Sequence, residues 1–344
     1  MRYEVTIGIP VYKAAGYIEH TMESALNQTF PNIEYLIIDD CGEDGSIHVV
    51  EHLQANHPRG KDIRILYNNQ NKGVGLTRNR IIDEARGNYL FFLDSDDLIE
   101  PDTIQIMMDK VKAYQTDVVY GSLERIDKVN ESPNQSYVLP DVCLLSEDEM
   151  ASYAFKHYNT FQISVCNCLM NMDFLRTHQM QFVDTQFWED LAFTYQMVTK
   201  VSRAVLISKI TYHYLCRPGS LSHYQDREQL SKEEIVKNIS TIDYLKEKCI
   251  DLRDRNYLPY LCKNLEMNSF YIVCHILKYF QRIVPHFSDY ELKRIMCHPM
   301  SFYDILKFHD LMIPNMILKL LGYLPVFCFK PTIWLIGKYK GQFD

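Results

Sequence analysis

The sequence predicts an α/β fold, a mostly parallel sheet with helices on both faces, followed by a helical C-terminal region. Three observations carry this. Over the first 125 residues, short β-rich apolar runs alternate with amphipathic stretches, the succession that builds a parallel sheet covered by helices. The runs are apolar at almost every position, as strands buried on both faces are. After Asp226 the chain carries only helical periodicity, through "EIVKNISTIDYLKEK" and "NLEMNSFYIVCHILKYF", which sets a boundary between residues 1–222 and 223–344.

Residues 5–9 read as the first strand and 17–26 as the first helix. "YLIID" (35–39) is the second strand, and a helix starts at Ser46. "IRILY" (63–67) is the third strand, 74–85 the third helix, and "YLFFL" (89–93) the fourth strand. The polar, Pro-containing stretch 127–145 reads as a loop, and a mixed region runs on to about residue 222. Ligands bind at the C-terminal ends of parallel strands, so Pro10 to Tyr12, Asp39 to Gly42 and Asp94 to Asp97 are expected on one rim.

A length of 344 residues allows two domains or one domain with an appendage, and 47% hydrophobic with 23% charged residues is ordinary globular composition. The net charge of -8 argues against a nucleic-acid surface, which needs clustered Lys and Arg. Ten cysteines stand at irregular spacings without a CxxC pair, and "MRYEVTIGIPVYK" lacks the succession of a secretory signal. Reduced thiols in a cytoplasm are the expectation, with no structural zinc. The sequon at Asn27 then carries no information, since glycosylation requires secretion.

The apolar run of the fourth strand ends in Asp94, Ser95, Asp96 and Asp97. Two carboxylates about 4 Å apart repel by about 4 kcal/mol near a protein surface, so such a group wants a counter-charge. A solvated turn before the helix near Pro101 is one reading; the other is Mg2+ or Mn2+ held by one or two carboxylates and by substrate phosphates. In "IDDCGEDGS", Asp39 and Asp40 follow a buried strand. Asx turns and a cap at Ser46 explain much of that stretch, yet a carboxylate there can also accept a hydrogen bond from a nucleobase.

"NKGVGLTRNR" contains a GxG but lacks the third glycine of a dinucleotide fingerprint. It reads as a flexible loop with Lys72 and Gly73 near phosphates, then a helix whose first turns carry Arg78 and Asn79. Arg78 is suited to pair with a carboxylate on the rim. "QFWEDLAF" puts Glu189 and Asp190 at a helix start, where acids favour the macrodipole and can also serve as a general base. "YHYLCRPGSLSH" offers His213, Arg217, Ser220 and His223, although a histidine in such a strand is more often packed than ligating.

Together these segments resemble the family 2 glycosyltransferases of bacterial type, which have the GT-A fold. "IGIPVYKAAGYIEHTMESALNQTFPNIEYLIIDD" resembles their opening and "NKGVGLTRNRIIDEARGNYLFFLDSDD" the next segment through the DXD motif; the likeness covers roughly residues 3–222. The resemblance implies that Pro10, Val11 and Tyr12 line the base pocket, that Asp40 contacts uracil or an equivalent base, and that Asp39 shapes that pocket. Asp94 and Asp96 would form the DXD, with Ser95 on the donor side and Asp97 a further metal ligand. Glu189-Asp190 matches the ED pair, whose aspartate is the base of inverting members. His213 corresponds to a third metal ligand in some relatives, and Arg217 and Ser220 to an element near the donor phosphates. Cys41-Gly42-Glu43 departs from the usual Gly-Ser-Thr, and Thr77 stands where Ala is common.

The resemblance also implies a metal-dependent, inverting sugar transfer with Mn2+ or Mg2+. The donor would be a nucleotide-diphosphate sugar, UDP-linked by preference, and the acceptor a hydroxyl of a saccharide or lipid-linked substrate in cell-surface polysaccharide synthesis. A nucleotidyltransferase would show a Gly-rich phosphate loop straight after the first strand, which "IPVYKAAGY" lacks. A nucleotide-sugar-binding or membrane scaffold protein without transfer activity is the other alternative. The tail "MIPNMILKLLGYLPVFCFKPTIWLIGKYKGQ" carries Lys319, Lys330, Lys338 and Lys340 and no acid. Pro325, Lys330 and Pro331 interrupt it well short of the ~20 apolar residues that span a bilayer. It reads either as an interfacial segment at the inner face of the plasma membrane or as a segment packed back onto the protein.

Overall fold

The strand β1 (Val5–Val11) is buried at every position, because helices cover both faces of the sheet at whose centre it lies. The computed structural model describes the chain apart from residues 1–2, 128–131, 159–160, 162–163, 186–187, 217–228 and 344. After β1 come α1 (Ile18–Leu26), β2 (Ile33–Asp39), α2 (Ser46–Asn56), β3 (Ile63–Tyr67), α3 (Val74–Glu84) and β4 (Tyr89–Phe92). Helix α1 turns Ile18, Met22 and Ala25 to the core at helical spacing. The four strands lie in the order β3-β2-β1-β4, all parallel.

The sheet then turns mixed. β5 (Leu98–Ile99), α4 (Thr103–Tyr114) and β6 (Val118–Asp127) lead to β7 (Ser132–Tyr137) and β8 (Val142–Leu144). After α5 (Glu149–His157) come β9 (Cys168–Asn171), α6 (Met172–Thr177), α7 (Glu189–Lys200) and β10 (Ala204–Cys216). Among the described residues the order continues β4-β9-β6-β10-β5, with β7 on β6 and β8 on β10, and β9 runs antiparallel to both neighbours. The stretch expected to be a loop at 127–145 therefore holds two strands. They are short antiparallel additions at the margin of the sheet, which need backbone pairing more than an apolar face.

The chain divides into two compact units. One comprises Met1–Met150, Ser164–Asp184 and Met197–Leu221; the other comprises Ala151–Ile163, Thr185–Gln196 and Ser222–Asp344. Two segments that the sequence assigned to the first domain, Ala151–Ile163 and Thr185–Gln196, thus pack with the second unit. That unit also contains β11 (Leu230–Ser231), α8 (Lys232–Lys248), α9 (Leu258–Lys278), β12 (Ile283–Val284), α10 (Asp289–Ile295), α11 (Phe302–Lys307), α12 (Met312–Tyr323) and α13 (Val326–Tyr339). β11 and β12 form a two-residue parallel pair where only helices were expected.

Inside the second unit Lys246 is buried. Its Nζ lies 2.7 Å from Glu266 Oε2 and also donates to the carbonyls of Ile295 and Cys297 at 3.0 and 3.1 Å. Charge pairing and carbonyl acceptors together offset its desolvation. α12 and α13 each pack one side against α9. All ten cysteines are free thiols, and among the described residues no helix is long and apolar enough to cross a membrane.

Candidate functional site

The sheet register builds the rim. Tyr67 pairs with Asp39, Asp39 with Val11, and Gly8 with Phe92, so the loops after β1 to β4 leave one edge of the sheet. This is the edge where open α/β sheets bind ligands.

Asp40 is 3% exposed and its carboxylate is fully used. Oδ1 accepts from Asn68 Nδ2 at 2.7 Å and from the Lys72 N–H at 2.8 Å, and Oδ2 accepts from the Gly73 N–H at 2.8 Å. Gly73 has φ 84, a conformation that suits glycine, and precedes the first residue of α3. Asn68 Nδ2 also donates to the Thr77 hydroxyl at 3.1 Å, so the departure at Thr77 completes the same network. Asp40 therefore anchors the loop that presents the exposed Lys72. Asp39 is part-exposed and accepts only from the Gly42 N–H, at 3.2 Å, among the hydrogen bonds of its side chain in the described residues.

The loops after β1 and β2 lie against each other. A Cβ on Gly42 would come within 2.8 Å of the Lys13 backbone nitrogen, so glycine is required there. Asp44 accepts from the Ala15 N–H at 2.9 Å, and Ser46 Oγ accepts from the Ala14 N–H at 2.9 Å. Pro10 and Val11 are buried in β1, whereas Tyr12 is 44% exposed, with the Lys13 ammonium over its ring.

In the acidic loop, Arg78 is buried and its Nη2 donates to Asp94 Oδ1 at 2.7 Å. The rings of Phe92 and Phe182 flank its guanidinium, at 5.9 and 5.6 Å to their centroids. Asp94 and Asp96 are part-exposed and Ser95 is buried. Asp97 is buried, and both of its oxygens are committed: Oδ2 accepts from the Tyr212 hydroxyl at 2.7 Å and Oδ1 from the Leu215 N–H at 2.9 Å. Burial, then the charges of Asp94 and Asp96, push the Asp97 carboxyl well above the usual range. His213 lies between two carboxylates, with Nε2 2.7 Å from Glu100 and Nδ1 2.9 Å from Glu124. Asp97 and His213, expected as metal ligands, thus have their polar atoms engaged by protein partners in this arrangement.

The oxygen-only donors Asp94 and Asp96 suit a hard divalent cation, which takes one or two carboxylates and completes its shell with substrate phosphates and water. Among the described residues no group of three or more His, Cys, Asp or Glu side chains is arranged so that it could hold a metal ion by itself. Glu189 and Asp190 open α7 in the second unit, Glu189 buried and Asp190 part-exposed. Arg217, Ser220 and His223 lie outside the described residues. Sequence reasoning missed Asn68 and Tyr212. Asn68 was findable as the first polar residue after β3 on the same rim, but Tyr212 carried no local signal.

The family described as "Glycosyl transferase family 2" matches residues 6–178. Chondroitin synthase of Escherichia coli is 34% identical over 155 residues, 45% of this chain and 22% of that protein. Glycosyltransferase GlyA of Streptococcus pneumoniae is 27% identical over 226 residues, 64% of this chain and 31% of that protein. The chain thus spans less than a third of the length of either. The crystal structure of S. aureus TarS 1-349 in complex with UDP-GlcNAc superposes with a TM-score of 0.65 at 17% identity, covering 93% of this chain and 89% of that one, which makes the fold GT-A as expected. By the match over half its length, on the segment that builds the rim, the chain belongs to glycosyl transferase family 2.

Proposed function

We propose that the chain transfers a sugar from a nucleotide-diphosphate sugar to an acceptor hydroxyl in the synthesis of a surface polysaccharide, with inversion at the anomeric carbon. The observation that carries this reading is the rim itself: four strand ends of a family 2 chain bring an arginine-held aspartate, a part-exposed carboxylate and an exposed lysine to the ligand-binding edge. UDP is the favoured nucleotide, since TarS of the same fold was crystallised with UDP-GlcNAc.

Asp39 has acceptor capacity left and takes the N–H of the base, while Asp40 fixes the loop that carries Lys72 toward the phosphates. The exposed Tyr12 ring packs on the base. Asp94, oriented by Arg78, and Asp96 would hold Mn2+ or Mg2+, which when bound supplies charge stabilisation at the departing diphosphate. Tyr212 and His213 support that loop from β10, through Asp97 and Glu100. Asp190 takes the proton from the acceptor hydroxyl, a contribution of about 100-fold to 10,000-fold for a positioned base. Glu189 shares the first turn of the helix with it.

Membrane contact through α12 and α13 belongs to the same reading. Both helices are apolar on the packed side and on the exposed side, where Ile313, Ile317, Leu320, Phe327, Trp334 and Leu335 lie open. Residues 311–343 carry four lysines and no acid; Lys319 is buried on the Met300 carbonyl and Lys330 pairs with Asp289, which leaves the exposed Lys338 and Lys340 to complement an anionic bilayer surface and a lipid-linked acceptor.

The experiment is a transfer and binding assay with UDP-, GDP- and dTDP-sugars, each with and without Mn2+. Asp190→Asn is expected to keep donor binding and lose transfer, and Asp96→Ala to lose the metal-dependent part of donor binding. Normal turnover in Asp190→Asn refutes the base assignment.

A further inference from the structure

The second unit holds a cavity of about 360 Å3 between the end of α10 and α12, with no part in the proposed mechanism. Three cations line it, Lys293 and Arg294 from α10 and Lys319 from α12, and no carboxylate stands among its described lining residues. Gly322 brings the two helices together: a Cβ there would come within 2.5 Å of the Met296 carbonyl oxygen. The volume falls in the range of about 300–1,000 Å3 that holds small-molecule ligands.

Lys319 is the residue for which the fold alone does not account. It is 8% exposed, about as buried as Lys246 at 6%. Lys246 meets a carboxylate and two carbonyls, whereas Lys319 Nζ donates to the Met300 carbonyl alone, at 2.6 Å, with the Phe302 and Tyr323 rings at 5.0 and 5.9 Å. No acid pairs with it among the described residues. An ammonium taken out of water without a counter-charge is destabilising, and a carbonyl with two ring faces supplies only partial charge. Two of its three N–H donors are left for an anion that enters the cavity.

Lys293 and Arg294 have an ordinary reason to stand where they do, since cations in the last turn of a helix favour its dipole. Arg294 is also shared with Asp243 of the neighbouring hollow, whose charged form it favours. Lys293 has no side-chain partner among the described residues. The acids nearest to it in sequence, Asp289 and Glu291, are taken by Lys330 and Lys232. No described carboxylate therefore neutralises Lys293 or Lys319. The surface that leads to the cavity is apolar. Ile313, Ile317 and Leu320 follow one side of α12 at helical spacing, all exposed, and the line ends at Tyr323 on the cavity wall. A ligand that fits both features is anionic at one end and apolar at the other.

We propose that this cavity takes the phosphate headgroup of a membrane lipid, with the phosphate oxygens on the ammonium groups of Lys319 and Lys293 and on the Arg294 guanidinium, and the acyl chains along Ile313, Ile317 and Leu320. A phosphomonoester offers three acceptor oxygens to three cations, where a carboxylate offers two. The inference deepens the membrane contact proposed for α12 and α13, and rests on that contact for the lipid but not for the phosphate.

Cys297 is an exposed free thiol on the wall of the same cavity, so its alkylation reports occupancy; Cys143, exposed in the first unit, is the internal control. Glycerol 3-phosphate is expected to slow labelling of Cys297 by N-ethylmaleimide saturably and to leave Cys143 unchanged. Glycerol with sodium chloride at matched ionic strength is expected to slow neither. Lys319→Met should raise the half-protecting concentration at least about tenfold, and Lys293→Gln, at a part-exposed position, about two- to fivefold. Protection by salt alone, no protection, or protection unchanged in both variants overturns the phosphate site. Flotation with phosphatidylcholine vesicles assigns the source. Vesicles carrying phosphatidic acid are expected to hold the protein better than vesicles carrying oleate at equal surface charge, and Lys319→Met to remove that preference. Equal flotation with both keeps the membrane contact and overturns the headgroup site. Protection by glycerol 3-phosphate without flotation on either removes the membrane contact and the lipid with it, and leaves a site for a soluble phosphate ester.

Discussion

The Tyr212 hydroxyl donates to Oδ2 of Asp97 at 2.7 Å, with both side chains buried. Strand β10 reaches the acidic loop through this bond and through the Leu215 N–H on the other oxygen, because its antiparallel pairing with β5 sets Tyr212 opposite Ile99 and His213 opposite Leu98. The Asp94 N–H also points at the Tyr212 oxygen, at 3.4 Å. One phenol thus braces two residues of the loop that the metal-binding proposal uses. Tyr212→Phe removes a donor from a buried acceptor and is expected to cost about 1–3 kcal/mol in urea unfolding. Metal-dependent donor binding is expected to weaken with it. Unchanged stability and unchanged donor affinity together contradict the bracing role.

Tyr212 also shows where legibility in the sequence ends. Strands β1 to β4 were readable because burial on both faces makes each a nearly unbroken apolar run, and their ends fell within two residues of expectation. β7, "SPNQSY", has no such pattern, since it pairs antiparallel with β6 through its backbone. In the site, the acids were visible as charges placed after apolar strands. Their partners were not: the contact from Tyr212 to Asp97 spans 115 positions, and Tyr212 is one of 24 tyrosines. Which of Asp39 and Asp40 keeps a free lone pair depends on where the 68–73 loop folds back, and no local spacing encodes that.

Asp40 and Asp39 should therefore separate on substitution. Asp40→Asn turns an amide donor toward at least one of the N–H groups of Lys72 and Gly73 and is expected to cost about 2–4 kcal/mol, the scale of one or two hydrogen bonds to a charged acceptor. Hydrogen exchange at 72–75 should accelerate. Asp39→Asn is expected to leave the melting temperature near that of the unsubstituted chain and to weaken nucleotide binding. The reverse pattern would exchange the two roles.

The exposed apolar sides of α12 and α13 predict a salt-sensitive association with vesicles containing anionic lipid. Flotation should carry the protein with such vesicles at low ionic strength and progressively less as salt screens the lysines. Phe327→Glu, at a residue 79% exposed, is expected to abolish flotation without lowering stability, since no packed contact is lost. Protein that stays in the aqueous fraction under all lipid compositions removes the membrane contact from the reading.

In the helical unit, His298 sets an acid limit on stability. Its Nδ1 accepts from the Met300 N–H at 3.2 Å, so Nε2 carries the proton and donates to Asn315 Oδ1 at 3.1 Å. Burial, with the charges of Lys319 and Lys246 added, holds this histidine down at about 4. An unfolded imidazole titrates near about 6.5, so between these values the unfolded chain binds the extra proton. The contribution is complete above about pH 6.5 and drains as the pH falls toward about 4, for a loss of about 3 kcal/mol. His298→Gln can accept from Met300 or donate to Asn315 without titrating. Urea midpoints measured from about pH 7 to about pH 4.5 should fall more steeply for the unsubstituted chain than for His298→Gln. Parallel curves would mean that the imidazole is protonated in the folded state, and that the Met300 N–H has another acceptor.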